Sequence, residues 1–342
     1  MTVDQIDAQV AYLLAFPWDA AIEAESPLSI KGLRDAPYFT PIDIDVELLG
    51  THTLEAGGVP VTIRRTVYEA DVLMAECLYT QPDALGRDGL QRRLRIQAEL
   101  KAHLLHDQPD HGDMLEEYTV LMLSAIAGAP DDFINRNAQT LANFIRSQRE
   151  ALTPDEINEI LMSRVRYSES ELTLVDWEGA IIASTVSDFQ SDLELLKIGN
   201  YQLLRYRMLE QMIDRNLEIV RRNLRAGERV SLLPNPAKRM LRQVIEQRLA
   251  LMLDFEKINE GLLLIGDWYT AKLYRVIYDE FYLDEWAAAI KSKLENLESI
   301  IQIIQDNFTF SWSRFLELVQ IAGWLLLLVG YFVLFFLEAG RK

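Results

Sequence analysis

Apolar and polar positions follow two different rhythms along this chain, and the change falls near residue 189. Residues 59–66 and 71–79 alternate with β-branched character and read as strands, with Gly57-Gly58 punctuating the chain before them. Residues 89–106 carry Leu90, Leu94, Gln97 and Leu104 at helical spacing. A strand is predicted over 118–126. Gly128-Ala129-Pro130-Asp131 then breaks it and starts a helix through Phe133, Leu141, Phe144 and Ile145. Thr153-Pro154-Asp155-Glu156 starts another helix. Thr caps, Pro fits the first turn, and Glu at the third helical position reaches back to the cap. Residues 171–176 and 180–185 pair around Trp177-Glu178-Gly179 as a hairpin. The first fifty residues, broken by Pro17, Pro27, Pro37 and Pro41, read as a short helix over 3–16 followed by an extended arm.

Beyond 189 the spacing is helical almost throughout. Residues 193–224 predict one long helix closed by Gly227, and 238–264 a second, restarted by Pro234-Asn235-Pro236. An aromatic-rich helix follows from Trp268 to Phe281. In the last helix Ile290, Leu294, Leu297, Ile301, Ile304 and Phe308 step alternately by four and three, a heptad seam suited to a helical hairpin, a stalk or a second copy of the chain. Residues 318–337 then carry no charge for twenty positions. At a 1.5 Å rise that is roughly 30 Å of helix, the thickness of a hydrocarbon core. The pattern predicts one C-terminal transmembrane helix, with Gly323 and Gly330 seven apart as a packing face for another anchor. The resulting fold class is α+β: a mainly antiparallel α+β domain, then a long-helix stalk or hairpin, then a single anchor. The boundaries are an acidic arm over 1–50, the α+β domain over 51–188, the helices over 189–312 and the anchor with its tail over 313–342.

Charge changes this picture little. The net charge is −18, from 52 acids and 34 Lys/Arg, so direct nucleic-acid binding is not expected. Residues 201–248 are locally basic and residues 1–60 strongly acidic, which suggests an internal pairing between them. The sole cysteine, Cys77, excludes an intramolecular disulfide and reads as a buried thiol. The N-terminal residues lack the basic-then-apolar pattern of an export signal. Together with the apolar run this predicts a single-pass protein of the cytoplasmic membrane, its bulk on the cytoplasmic side.

Two groups of residues offer chemistry. His103, His106 and His111 interleave with Asp107, Asp110 and Asp113. His103, His106, Asp107 and His111 are thus candidate ligands for a divalent metal, against the plainer reading of a solvated loop around Pro109 and Gly112. Asp176-Trp177-Glu178-Gly179 supplies two carboxylates and an aromatic, but suits a hairpin turn better. The aromatics from Trp268 to Trp286 read as packing between helices. No phosphate loop, nucleophile elbow, paired-cysteine motif or zinc-protease signature occurs, and no motif calls for a cofactor.

Several patches, taken in order, resemble the family required for meiotic nuclear division, defined by domain of unknown function 155. They are Glu171-Leu172-Thr173-Leu174-Val175-Asp176-Trp177, Leu195-Leu196-Lys197-Ile198-Gly199-Asn200-Tyr201-Gln202-Leu203-Leu204-Arg205-Tyr206-Arg207, Leu273-Tyr274, Lys293-Leu294-Glu295-Asn296-Leu297 and Arg314-Phe315-Leu316-Glu317. The resemblance implies a membrane-bound, oligomeric, non-catalytic protein and supplies no catalytic residues. The leading expectation is therefore a membrane-anchored scaffold or assembly factor that self-associates through its helices and serves a protein client. The alternative is a membrane-tethered sensor or hydrolase that takes a metal or small ligand at residues 103–113.

Overall fold

Ala8–Pro17, expected within a helix, is strand β1 in the computed structural model, and both of its faces are buried. A strand covered on both sides needs no polar face, so its sequence, AQVAYLLAFP, is a continuous apolar run. Periodicity cannot tell such a run from a buried helix. The expected N-terminal helix is corrected on that ground. The structure describes residues 8–18, 26–28, 44–86, 88–106, 113–124, 126, 128–185, 189–227, short helical pieces between 245 and 256, and 268–339. Side chains at 26–28, 219–220, 223–227, 301–316, 318 and 334–339 lie outside that description.

The other strands are β2 (Ser26–Leu28), β3 (Val46–Ala56), β4 (Val59–Tyr68), β5 (Val72–Gln81), β6 (Glu116–Leu123), β7 (Arg164–Ser168), β8 (Glu171–Val175) and β9 (Gly179–Ser184). The helices are α1 (Gly89–Leu105), α2 (Pro130–Arg136), α3 (Ala138–Ile145), α4 (Pro154–Met162), α5 (Gln190–Gly227), α6 (Trp268–Glu280) and α7 (Leu283–Ala339). The strands form one nine-stranded sheet in the order β2-β3-β4-β5-β1-β6-β9-β8-β7. Only the β6–β9 pair is parallel. The expected mixed α+β class with a mainly antiparallel sheet is therefore what the chain adopts.

Alternate residues of β1 serve two cores. Val10, Tyr12, Leu14 and Phe16 join Ile63, Ala75 and Cys77 beneath α1 to α4, which contribute Ile96, Leu100, Phe133, Leu141 and Ile160. On the other face α5 and α6 cover the sheet. There Tyr201 stacks on Tyr68 at 5.1 Å, and Tyr269 donates to Asp192 Oδ2 at 2.7 Å. Gly199 lets α5 and α6 meet, since a Cβ there would lie 2.5 Å from Ile277 Cγ2. The capping box predicted at Thr153 is present. Its hydroxyl accepts from Glu156 N–H, and Glu156 Oε2 accepts from Thr153 N–H at 2.7 Å. Arg93, fully buried, closes the C-terminal end of α3. Its Nη2 donates at 2.8 Å to both Phe144 O and Ser147 Oγ, with the guanidinium 3.9 Å from the Phe144 ring centre.

The chain divides into two compact units, one of residues 1–211 and 254–290, the other of 212–253 and 291–342. The helix predicted over 238–264 lies mostly outside the described residues. The seam and the apolar run fall on one continuous 57-residue helix, α7. Among the described residues no helix is long and apolar enough to cross a membrane. The expected transmembrane anchor, the partnership with a membrane over 318–337 and the single-pass placement in the cytoplasmic membrane are corrected accordingly.

Candidate functional site

The surface of α7 is the part of the molecule least accounted for by the chain itself. Ile290, Leu294 and Leu297 are buried within the single chain. Ile301 and Ile304 have side chains outside the described set. In the second unit, Lys293 Nζ donates to both carboxylate oxygens of Asp214 at 2.8 Å, and Ile213 beside it is fully buried. The end of α5 and the start of α7 are tied together there. Further along, every described side chain from 319 to 333 is exposed, including Trp324 at 69%, Leu326 at 75% and Phe332 at 53%. Nothing stands within 4 Å of where a Cβ would sit on Gly323 or Gly330. Exposed apolar surface of that extent is uncommon on isolated chains.

The predicted metal ligands are only partly placed. His103 and His106 are exposed near the end of α1, while Asp107 and His111 lie outside the described residues. Among the described residues, no group of three or more His, Cys, Asp or Glu side chains is arranged to hold a metal ion. The fold does bring together a pair that sequence spacing did not suggest. His52 on β3 has its ring centre 6.3 Å from that of His103, with the planes at 57°. The available signal was the alternation of β3. His52 shares a face with Leu54 and Ala56, which pack into the core. Partial burial, then Arg65 and His103, hold the His52 imidazole below its usual pKa.

The two acids of the 176–179 turn have structural work. Asp176 N–H donates to Gly179 O at 3.0 Å, which closes the hairpin. Asp176 Oδ1 accepts from Arg146 Nη2 at 3.0 Å, and Glu178 lies 3.7 Å from Arg146 Nη1. Burial raises the pKa of both carboxyls, more than the charge of Arg146 lowers it. The aromatics beyond Trp268 also pack between elements. Phe281 meets Tyr118 and Trp177 edge-on, and Tyr274 donates to Gln202. Burial pushes the Cys77 thiol up to about 12, so at neutral pH it is a protonated core residue rather than a nucleophile.

Sequence reasoning also missed a buried ion cluster between the sheet and α5. Lys197 Nζ donates at 2.6 Å to Glu76 Oε2 and at 2.6 Å to Glu194 Oε1, and Gln190 Nε2 donates to Glu194 at 2.6 Å. Nearby, Arg205 pairs with Asp71, and Arg207 with Glu116. Among the described residues, bases of the 201–248 stretch pair with Asp71, Glu116 and Glu218. These contacts fasten helices to the sheet.

A family match takes in β2 to β9 and α1 to α4, with β1 before its start. The chain belongs to the family described as "Uncharacterized protein MJ0711, N-terminal domain", which matches residues 20–190, half of its length. A curated relative is the uncharacterized protein MJ0711 of Methanocaldococcus jannaschii, 28% identical over 203 residues. That alignment covers 59% of this chain and 62% of the relative, so the chain spans less than two thirds of the relative's length. No solved structure matches. The resemblance to the meiotic-nuclear-division family is corrected by this match. Apart from the patch over 171–177, the segments that suggested it lie on α5, α6 and α7, outside the matched region. Leu, Ile and charged residues at helical spacing recur on unrelated amphipathic helices.

Proposed function

We propose that this chain is a non-enzymatic scaffold or assembly factor that self-associates through its C-terminal helix. The observation that carries the reading is the apolar column of α7 from 319 to 333, exposed on all sides of the helix. A helix that is apolar all round is stable in water only when neighbours cover it. Copies of the same helix supply matching length and chemistry, and closed symmetric assembly is the usual outcome for a self-complementary surface. The engagement of Asp176, Glu178, Lys197 and Glu76 in tying elements together supports a structural rather than a catalytic role for the rest of the chain.

A cysteine introduced in the column tests this reading. Because Cys77 is buried, Leu326→Cys creates the one readily oxidised thiol, and Met162→Cys, on exposed α4 surface, is the comparison. Mild oxidation of the protein in aqueous buffer is expected to give a disulfide-linked dimer with Leu326→Cys and none with Met162→Cys. Equal dimer from both variants, or none from either, contradicts self-association through α7.

A further inference from the structure

We propose that His52 and His103 together form a binding site for a divalent transition-metal ion of the Zn²⁺ type, bridging β3 and α1. This inference is independent of self-association. The two residues are 51 positions apart in sequence and come from different elements, yet their ring centres are 6.3 Å apart. Two imidazoles on one tetrahedral zinc, at Zn–N distances of about 2.0–2.1 Å, have ring centres roughly 5 Å apart. Closing the difference takes about 1 Å, which side-chain rotation of the exposed His103 supplies.

The backbone beneath the pair is fixed. The β3–β4 hairpin is tied to α1 by Gly57 N–H donating to Glu99 Oε2 at 2.6 Å, and Ile96 packs in the core beneath Gly57. A pair held on two anchored elements loses little freedom on binding, unlike ligands that must be gathered from a loop. Glu99 stands one turn before His103 on the same helix and adds negative charge there, while Arg65 on β4 opposes a cation. Water completes the coordination, so the class expected is a borderline ion that favours imidazole. Mg²⁺, which favours oxygen ligands, is excluded.

Calorimetric titration of the full chain with zinc chloride in a non-chelating buffer tests the site. The expected result is one zinc per chain, with no heat from magnesium chloride. His52→Gln and His103→Gln should each weaken zinc binding by roughly tenfold or more, while His106→Gln and His111→Gln leave it unchanged. Melting without metal shows whether each variant is folded. Should His52→Gln fail to fold, the exposed His103→Gln carries the comparison with His106→Gln. Absence of zinc binding overturns the proposal, as does binding by His52→Gln equal to that of the unaltered chain. Loss confined to His106→Gln or His111→Gln overturns it too, because the metal then sits on the loop.

Discussion

Lys197 shows how much of this fold rests on a few buried charges. Its side chain is 2% exposed, and its ammonium is held by Glu76 from the sheet and Glu194 from its own helix. Burial alone pulls its pKa down. The neighbouring Tyr68, Glu194 and Glu76 outweigh that, so the net shift is upward from the ordinary lysine value. Lys197→Met leaves Glu76 buried without its cation and should cost about 3–5 kcal/mol, whereas the double change Lys197→Met with Glu76→Leu should recover most of it. Urea unfolding of the three proteins checks this. The pH dependence has a definite sign. Above the unfolded lysine pKa of about 10.4, the unfolded chain releases a proton that the folded chain keeps, so stability falls as pH rises. The slope in that alkaline window should be shallower in Lys197→Met by about 1.4 kcal/mol per pH unit. Nothing in the local sequence announces this cluster, since Glu76 sits in an otherwise apolar strand and Lys197 on an amphipathic helix. Their meeting depends on how α5 lies on the sheet.

Among the elements, those with strong local signals were legible in advance. The capping box at Thr153, the turn at 176–179 and the alternation of β4 and β5 are each written within a few residues. β1 was not legible, because a strand in the middle of a two-sided sheet loses the alternation that identifies strands. β7 was missed because it follows α4 after the single residue Ser163. The glycine pair before β4 was legible as punctuation, and the structure shows what it punctuates. Gly57 and Gly58 have φ of +57° and +78° and form the two-residue loop joining β3 to β4. They should not tolerate substitution equally. A Cβ on Gly57 lies 2.5 Å from Ile96 Cγ1, while one on Gly58 meets nothing within 4 Å. Gly58→Ala should cost about 1 kcal/mol, the strain of a left-handed non-glycine residue. Gly57→Ala should cost about 2–4 kcal/mol, because a core side chain must also move. Thermal melting of the two variants checks the order.

At the scale of the whole molecule, the matched family domain and the long helix pose different questions. The domain over 20–190 has helices on its first face, and its buried charges hold elements together. The helix leaves Val319 to Val333 uncovered. The composition of the run was legible from the sequence, but its surroundings were not, because twenty uncharged residues specify that a helix be covered without specifying by what. Of the proposed seam, Leu294 and Leu297 are already buried within one chain, so they bear on folding, and the uncovered column bears on assembly. The most direct test is sedimentation velocity of the full chain in aqueous buffer, with and without Leu326→Asp. A charge placed among copies of this helix costs several kcal/mol unless it is paired. The unaltered protein should sediment as an oligomer, and Leu326→Asp as a monomer with an unchanged melting temperature. A monomeric unaltered protein, or a variant that remains as large as the unaltered one, contradicts self-association through α7.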